Sequence, residues 1–269
     1  MAHITVHQKK NARWTSFRDI LLFVLFMLAI IWLIFISTMR LGYYWQWYRI
    51  PQYIFRIEEG QWIAGELTIG LLFTLRIAGV SLIFALAIGL ITALTRLSSS
   101  WMGRLLTRLY LELIRNTPLV VQIYLVYFVI GPIFGLGRFA SAVLALSLFE
   151  GSYMSEIFRS GIVSLHKGQW EAAHSLGLSQ FDTYRKVILP QAIQRVLPPL
   201  TNEVISLIKN TSLVSLVALA DLAFQARVVA ADTFLTFEAW FTAAALYLLV
   251  TIPFSALVGV LEKRYKILT

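Results

Sequence analysis

Apolar residues fill six long runs in this chain, at 20 to 39, 67 to 95, 117 to 134, 139 to 158, 197 to 220 and 239 to 261. Each is near or above the roughly 17 to 25 residues that a helix needs to cross a hydrocarbon layer. The pattern predicts an all-α membrane protein with six transmembrane helices. The first run follows Lys9, Lys10, Arg13 and Arg18, is longer than a signal-peptide core, and leads into Gly42-Tyr43-Tyr44-Trp45 with no small-residue cleavage pattern. It reads as an uncleaved anchor. Residues 1–65 therefore hold a tail, that anchor and an outer aromatic segment, in which Trp45, Trp47 and Trp62 suit a headgroup belt and Glu58, Glu59 and Glu66 read as exposed. From 66 to 264 no Pro/Ser-rich linker, charge run or internal repeat divides the chain, so five spans form one unit.

The longest polar interruption, GQWEAAHSLGLSQFDTYRKVILP at 168 to 190, is bracketed by glycine and proline. Gly168 opens a short helix over Gln169 to Leu176, about 12 Å long, and Gly177 supplies the left-handed residue that ends it. Ser179 with Asp182 three residues on reads as a capping box. Phe181, Tyr184, Val187 and Ile188 then share one face of a second helix, expected to stop near Pro190. Ala172, Ala173 and Gly177 make a slim corner suited to close approach, and Glu171 is a lone acid that a partner's basic side chain would pair with. On its pattern alone the segment suits either an ordinary amphipathic loop or a docking loop.

Composition and charge narrow the setting. Hydrophobic residues make up 58% and charged residues 14% of 269, which leaves no room for a large aqueous domain. Cysteine is absent, excluding disulfides and thiolate chemistry. The net charge of +9 would suit nucleic acid, but the basic residues flank the spans instead. Lys9, Lys10, Arg13, Arg18, Arg96, Arg104, Arg108, Arg159, Lys167, Arg185, Lys186, Arg195, Lys263, Arg264 and Lys266 fall on one side, against Arg40, Arg49, Arg56, Arg138 and Arg227 on the other. Fifteen against five places both termini and the 160 to 196 loop in the cytoplasm.

Several polar positions lie inside or beside the spans. Ala85, Gly89 and Ala93 recur every four residues, a spacing that lets helices approach closely, within the chain or with a second subunit. Arg76 in the same run needs a carboxylate, carbonyl or water. Thr117-Pro118 reads as N-cap and first helical residue, making 104 to 116 an interfacial amphipathic helix. Glu112 with Arg115, and Glu156 with Arg159, are three apart and suited to pair. Glu150 lies mid-span without an obvious partner. Pro198 and Pro199 mark the start of the fifth span, with Glu203 after them and Lys209-Asn210-Thr211-Ser212 deep inside; a lysine there costs ~2.5 to 3.5 kcal/mol if it faces lipid, so a cavity or acidic partner is expected. No G-x-x-x-x-G-K-[ST] occurs, so nucleotide phosphates are not cradled by this chain. Gly135 to Ala140 matches a dinucleotide fingerprint only by letter, and His3, His7, His166 and His174 form no metal set.

The order Glu171-Ala172-Ala173, three residues, Gly177, nine residues, Val187-Ile188-Leu189-Pro190 resembles the EAA loop of bacterial ATP-binding cassette (ABC) importer permeases, with Val187 in place of the usual isoleucine. ELIRNTPLVVQIY and GSYMSEIFRSGI resemble blocks of the polar amino acid branch, the second with Ser152 and Ser155 where alanines are expected. The run at Lys209 resembles a KDTSL-type segment, with Asn210 in place of the acid. The resemblance spans roughly 66 to 264 and implies a five-helix MetI-like core plus one extra N-terminal helix. It implies a transport subunit rather than an enzyme, carrying a small polar solute, most simply an amino acid, across a bacterial cytoplasmic (inner) membrane. No cofactor is expected on this chain; ATP and Mg belong to a partner ATPase dimer. The other implied partners are a second permease, alike or different, and an extracytoplasmic substrate-binding protein. Carried over residue by residue, the ATPase-coupling loop is Gly168, Gln169, Glu171, Ala172, Ala173, Gly177, Leu189 and Pro190. The translocation path or gate is Glu203, Lys209, Asn210, Thr211, Ser212 and Arg115. The competing reading is an ion-coupled secondary transporter or channel working without an ATPase; such proteins are commonly built from matched repeats, and the halves here do not match.

Overall fold

The computed structural model describes residues 18–33, 36 and 42–264, which fall into two compact units divided between Gln46 and Trp47. In the first unit, 18–33 is a helix (α1) with Ile20, Phe23, Phe26 and Ile31 all exposed, as suits a span bathed in lipid. Lys9, Lys10, Arg13, Arg40, Lys266, His3, His7 and the rest of the first apolar run lie outside the described residues.

The second unit opens with a 3-10 turn at Trp47–Arg49, a short helix α2 (Pro51–Ile54) and an antiparallel hairpin, β1 (Phe55–Glu58) with β2 (Gln61–Ala64), in which Phe55 faces Ala64 and Glu58 faces Gln61. An all-α reading misses this hairpin. Its two-residue turn, Glu59-Gly60, has φ of 52° and 78°, the pair of positive values that a type I′ turn requires. Glu58 and Glu66 are not simply exposed acids: Arg56 bridges them at 2.8 Å and 2.9 Å.

The bundle follows. Helix α3 (Glu66–Leu97) is joined by a short turn to α4 (Trp101–Arg115), and the chain then bends by 106° into Leu119–Phe134, made of α5 (Leu119–Leu125), a π turn and α6 (Gly131–Phe134). Pro118, not Thr117, takes the N-cap position, with ψ of 139°, and Leu119 is the first helical residue. Thr117 turns its hydroxyl back to donate to the Leu113 carbonyl at 2.8 Å. A residue before proline is disfavoured in the helical region, so the break between α4 and α5 is built into the Thr-Pro pair. The stretch 104 to 116 accordingly lies in a helix separate from the span that follows, Trp101–Arg115, capped by Ser100.

Next come α7 (Arg138–Val163), α8 (Lys167–Ser175), α9 (Gln180–Thr183), α10 (Leu189–Asn210), α11 (Leu222–Thr233) and α12 (Thr236–Arg264). A π turn, Tyr184–Ile188, joins α9 to α10, and a 3-10 turn, Thr211–Val217, extends α10. The chain is therefore helical without interruption from Gln180 to Val217, and neither proline site ends it. Pro190 lacks an N–H and its ring crowds the carbonyl four residues back; widening the preceding turn to π geometry accommodates both. Pro198 and Pro199 lie inside α10 rather than at the start of a span. The stretch after Val217 holds a further helix, α11, set off by a 51° bend at Ala218, whose φ is +55°.

Among the described residues only α3 and α12 are individually long and apolar enough to span, and the two bent pairs raise the number to four. Helix α7 falls short because it is polar, and it is polar because it is surrounded by protein: Ser141, Ser147, Glu150, Ser152 and Ser155 are all buried. Its closest neighbour is α3. A Cβ built on Gly89 would lie 2.9 Å from the Met154 Cβ and 3.1 Å from the Gly151 carbonyl oxygen, so two backbones touch where Ala85, Gly89 and Ala93 are buried. The small-residue stripe packs within the chain. Around this seam a core of Ile77, Ile123, Leu146, Leu207 and Val214 joins α3, α5, α7 and α10, while a second cluster of Leu67, Leu222, Ala226 and Ala239 anchors α11 and α12 at the opposite end from α8.

Candidate functional site

The 168 to 190 segment folds as a braced elbow. Its first helix begins two residues earlier than the glycine suggests: His166 is the N-cap, its Nδ1 accepting from the Gly168 N–H at 3.0 Å. The helix ends in a Schellman motif, with Leu178 N–H donating to the Ala173 carbonyl at 3.1 Å and Gly177 N–H to that of His174 at 2.9 Å. Gly177 holds φ +73°, the left-handed value expected of it, and a Cβ there would meet nothing within 4 Å. The second turn is capped by Ser179, which accepts from Asp182 N–H and donates to Asp182 Oδ2, both at 3.1 Å. Lys186 Nζ sits 2.9 Å from the other carboxylate oxygen, and this bond holds Asp182 below the usual aspartate pKa.

The elbow is fixed to the bundle through its inner side. Ile188, Leu165 and Ala192 form a small core with Ile162, Trp170 and Val187 against it. Trp170 meets Tyr184 edge to face at 4.9 Å, Gln191 donates to Gln169 Oε1 at 3.1 Å, and Arg195 reaches the Ser164 hydroxyl at 2.9 Å. Ala173 is buried in this packing, so it belongs to the brace and not to the slim outer corner. The outer surface consists of Glu171, Ala172, Gly177, Leu189 and Pro190, all exposed, with Gly168 half-buried. Glu171 enters no ion pair among the described residues. Two apolar side chains also project here, Leu176 at 80% exposure and Phe181 at 70%. Leu176 was not singled out from the sequence, and Phe181 does not join the inner face with Ile188. For Leu176 the signal is an apolar residue directly beside the helix-ending Gly177.

The path candidates divide. Glu150 does have a partner: Asn210 Nδ2 donates to its Oε1 at 2.8 Å, joining α7 to the end of α10, and the half-buried Glu203 interacts with the same carboxyl. Thr211 is buried and its hydroxyl bonds the Ile208 carbonyl at 2.7 Å, while Ser212 bonds that of Lys209 at 2.8 Å. These two backward bonds accompany the change from α to 3-10 geometry at Asn210. Lys209 itself is exposed on the chain surface. Arg115 is elsewhere: its guanidinium lies 5.2 Å from the Tyr153 ring centre, in a cleft lined by α3, α4 and α7. It does not pair with Glu112, which accepts from Asn116 Nδ2 at 3.0 Å instead. Glu156 does pair with Arg159, whose Nε donates at 3.0 Å, and with Arg96. Arg76 stacks over Phe139 at 5.3 Å.

The family described as binding-protein-dependent transport system inner membrane component matches residues 85–267. The glutamine transport system permease protein GlnP of Escherichia coli is 38% identical over 202 residues, covering 74% of this chain and 92% of that protein. The L-cystine transport system permease protein TcyB of Bacillus subtilis is 40% identical over 200 residues, covering 72% and 84%. Among solved structures, an amino acid ABC transporter crystallised with histidines superposes at a TM-score of 0.69 with 37% identity, over 74% of this chain and 94% of that one. The MetNI methionine ABC transporter, at 18% identity and a TM-score of 0.57, shares the fold over 72% of this chain and 95% of its own. The chain, a multispanning helical membrane protein, belongs to the binding-protein-dependent transport system inner membrane components, the permease subunits of ABC importers.

Proposed function

We propose that this chain forms the translocation path for an amino acid in an ABC importer and is driven through the elbow at 168 to 190 by a separate ATPase. The observation that carries the mechanism is the elbow's two-sidedness. One side is locked to α7 and α10 by Ile188, Trp170 and Arg195, while the other presents unpaired Glu171 beside Ala172, Gly177, Leu176 and Phe181. A fixed inner side and an outer side that presents Glu171 beside apolar side chains suit a joint that transmits force to a partner with a matching groove and basic side chain. The amino acid assignment is supported by the glutamine and cystine permeases and by the histidine-containing transporter structure.

In this reading residues 66–264 are the permease domain and 1–65 an added anchor with its outer segment. Both termini face the cytoplasm of a bacterial inner membrane, as the fifteen-to-five distribution of basic residues supports. The ATPase dimer holds ATP and Mg, a second permease completes the path, and a binding protein delivers solute from outside. Gly168, Gln169, Glu171, Ala172, Gly177, Leu189 and Pro190 serve the joint, with Ala173 inside it. Glu203 and Asn210 meet the Glu150 carboxyl as path or gate, Thr211 and Ser212 stand in the 3-10 turn that follows them, and Lys209 lies at the same helix end. Arg115, over Tyr153, is set apart from them.

The test is copurification. The wild-type chain retains its ATPase, and Glu171→Arg loses it while still inserting in the membrane. Solute uptake by the purified chain alone in vesicles, without any ATPase, would overturn the reading in favour of a self-sufficient transporter.

A further inference from the structure

The end of the bundle that carries α8 also holds a cleft of about 820 Å³, bounded by Arg96 of α3, Arg104, Arg108, Glu112 and Arg115 of α4, and Tyr153 of α7. Helix α4 lies across the bundle end, turned by 106° from the segment that follows it. At about 100° per residue, Arg104, Arg108 and Arg115 fall within roughly 40° of one another on its surface. Met102, Leu106, Leu109 and Leu113 form the opposite stripe and are all more than half exposed. A helix with a bare apolar stripe on one side and three arginines on the other is built to lie in a membrane interface, apolar side in the acyl region.

The charges in the cleft are unevenly used. Arg96 is engaged by Glu156, and Arg104 donates to the Ser98 carbonyl at 3.0 Å. Glu112, the one acid of the lining, is occupied by Asn116. Arg108 and Arg115 enter no ion pair among the described residues, and Arg115 is held in place by the Tyr153 ring. Two guanidinium groups are thus positioned without a counter-anion, and their planar forks match the oxygens of a phosphate. The exposed stripe of leucines on the same helix decides the source of that phosphate, since acyl chains and headgroup are then met by the two faces of one element.

We propose that this cleft binds the phosphate of an anionic phospholipid of the cytoplasmic leaflet. The inference rests on the reading that places the α8 end in the cytoplasm. Its test reads bound lipid rather than transport, so the two stand or fall separately.

The importer, purified whole with its ATPase and second permease, is placed in phosphatidylcholine nanodiscs containing a minor fraction of phosphatidylglycerol, and retained phosphatidylglycerol is measured by native mass spectrometry. Each interfacial arginine contributes about fivefold in affinity for anionic lipid, so Arg108→Gln with Arg115→Gln lowers retention on the order of 25-fold, Arg108→Gln alone about fivefold, and Arg76→Gln leaves it unchanged. Equal retention by wild type and double variant overturns the proposal. In pure phosphatidylcholine discs, arginine-dependent binding of inorganic phosphate would identify a soluble anion as the occupant and overturn the lipid assignment. Loss of the ATPase or second permease from the double variant, with lipid retained, would show a protein contact and overturn it as well.

Discussion

Gly89 and Gly177 are the same residue in opposite circumstances. At Gly89 the backbone is ordinary helix and the constraint is outside it: an added Cβ would strike Met154 and the Gly151 carbonyl at 2.9 Å and 3.1 Å. At Gly177 the constraint is the backbone itself, at φ +73°, and the space around it is empty to 4 Å. The first glycine closes a gap within the chain. The second makes a turn and leaves the surrounding room for something the chain does not contain. The seam belongs to folding, the open corner is where the proposed ATPase would dock, and each is breakable without the other.

The largest effect is expected at the seam. Gly89→Leu forces a side chain against a rigid backbone, and overpacking of this kind costs about 1–3 kcal/mol, here at the upper end because backbone atoms of Gly151 and Ser155 stand behind the Met154 Cβ. Thermal unfolding in detergent should show a clear loss of folded chain. Gly177→Val should leave insertion intact, with about 1–2 kcal/mol of local left-handed strain, while ATP-driven uptake falls by about tenfold or more, a loss of roughly 1.4 kcal/mol in productive engagement. Normal uptake in that variant would separate the corner from coupling. Lys209→Ala, on the exposed surface of the α10 end, should change the KM for solute with ATPase copurification untouched; unchanged uptake kinetics would remove Lys209 from the path.

The smallest effect belongs to Asp182. Its pKa is lowered by Lys186, so the charged form is favoured in the folded elbow. The stabilisation is complete above the ordinary aspartate value near 3.9 and is lost as pH falls through the lowered folded value. Hydrogen exchange in the elbow should therefore be slightly faster in Asp182→Asn than in wild type at about pH 7, and the two should converge as pH falls through the lowered folded value.

Short-range chemistry carried most of what was legible beforehand. Gly177, the Ser179 cap and the break at Thr117-Pro118 are decided within three or four residues, and the structure has each of them, although Pro118 shifts the last by one position. Gly168 yields to His166 because the imidazole Nδ1 accepts from the N–H two residues on, a capping role that Ser, Thr, Asp and Asn usually take. Pro190 misled because its steric demand is met by a π turn, which leaves no mark in apolar spacing. Glu150 and Asn210 are sixty residues apart, so their bond is a fact of packing alone. The same holds for Arg115 and Tyr153, and the small hairpin at Glu59-Gly60 hid in strands too short to show alternation.

Helix runs unbroken from Gln180 to Val217. At ~1.5 Å per residue it is a rod of roughly 57 Å. One tip lies in the elbow proposed to meet the ATPase, and Asn210, near the other tip, grips a carboxylate on a neighbouring helix. Since no coil lies between them to absorb a displacement, a small stroke at the elbow, under the proposed coupling, would emerge as strain on that grip. Nucleotide state in one polypeptide would thereby be felt as the making or breaking of a single amide-to-carboxylate bond in another.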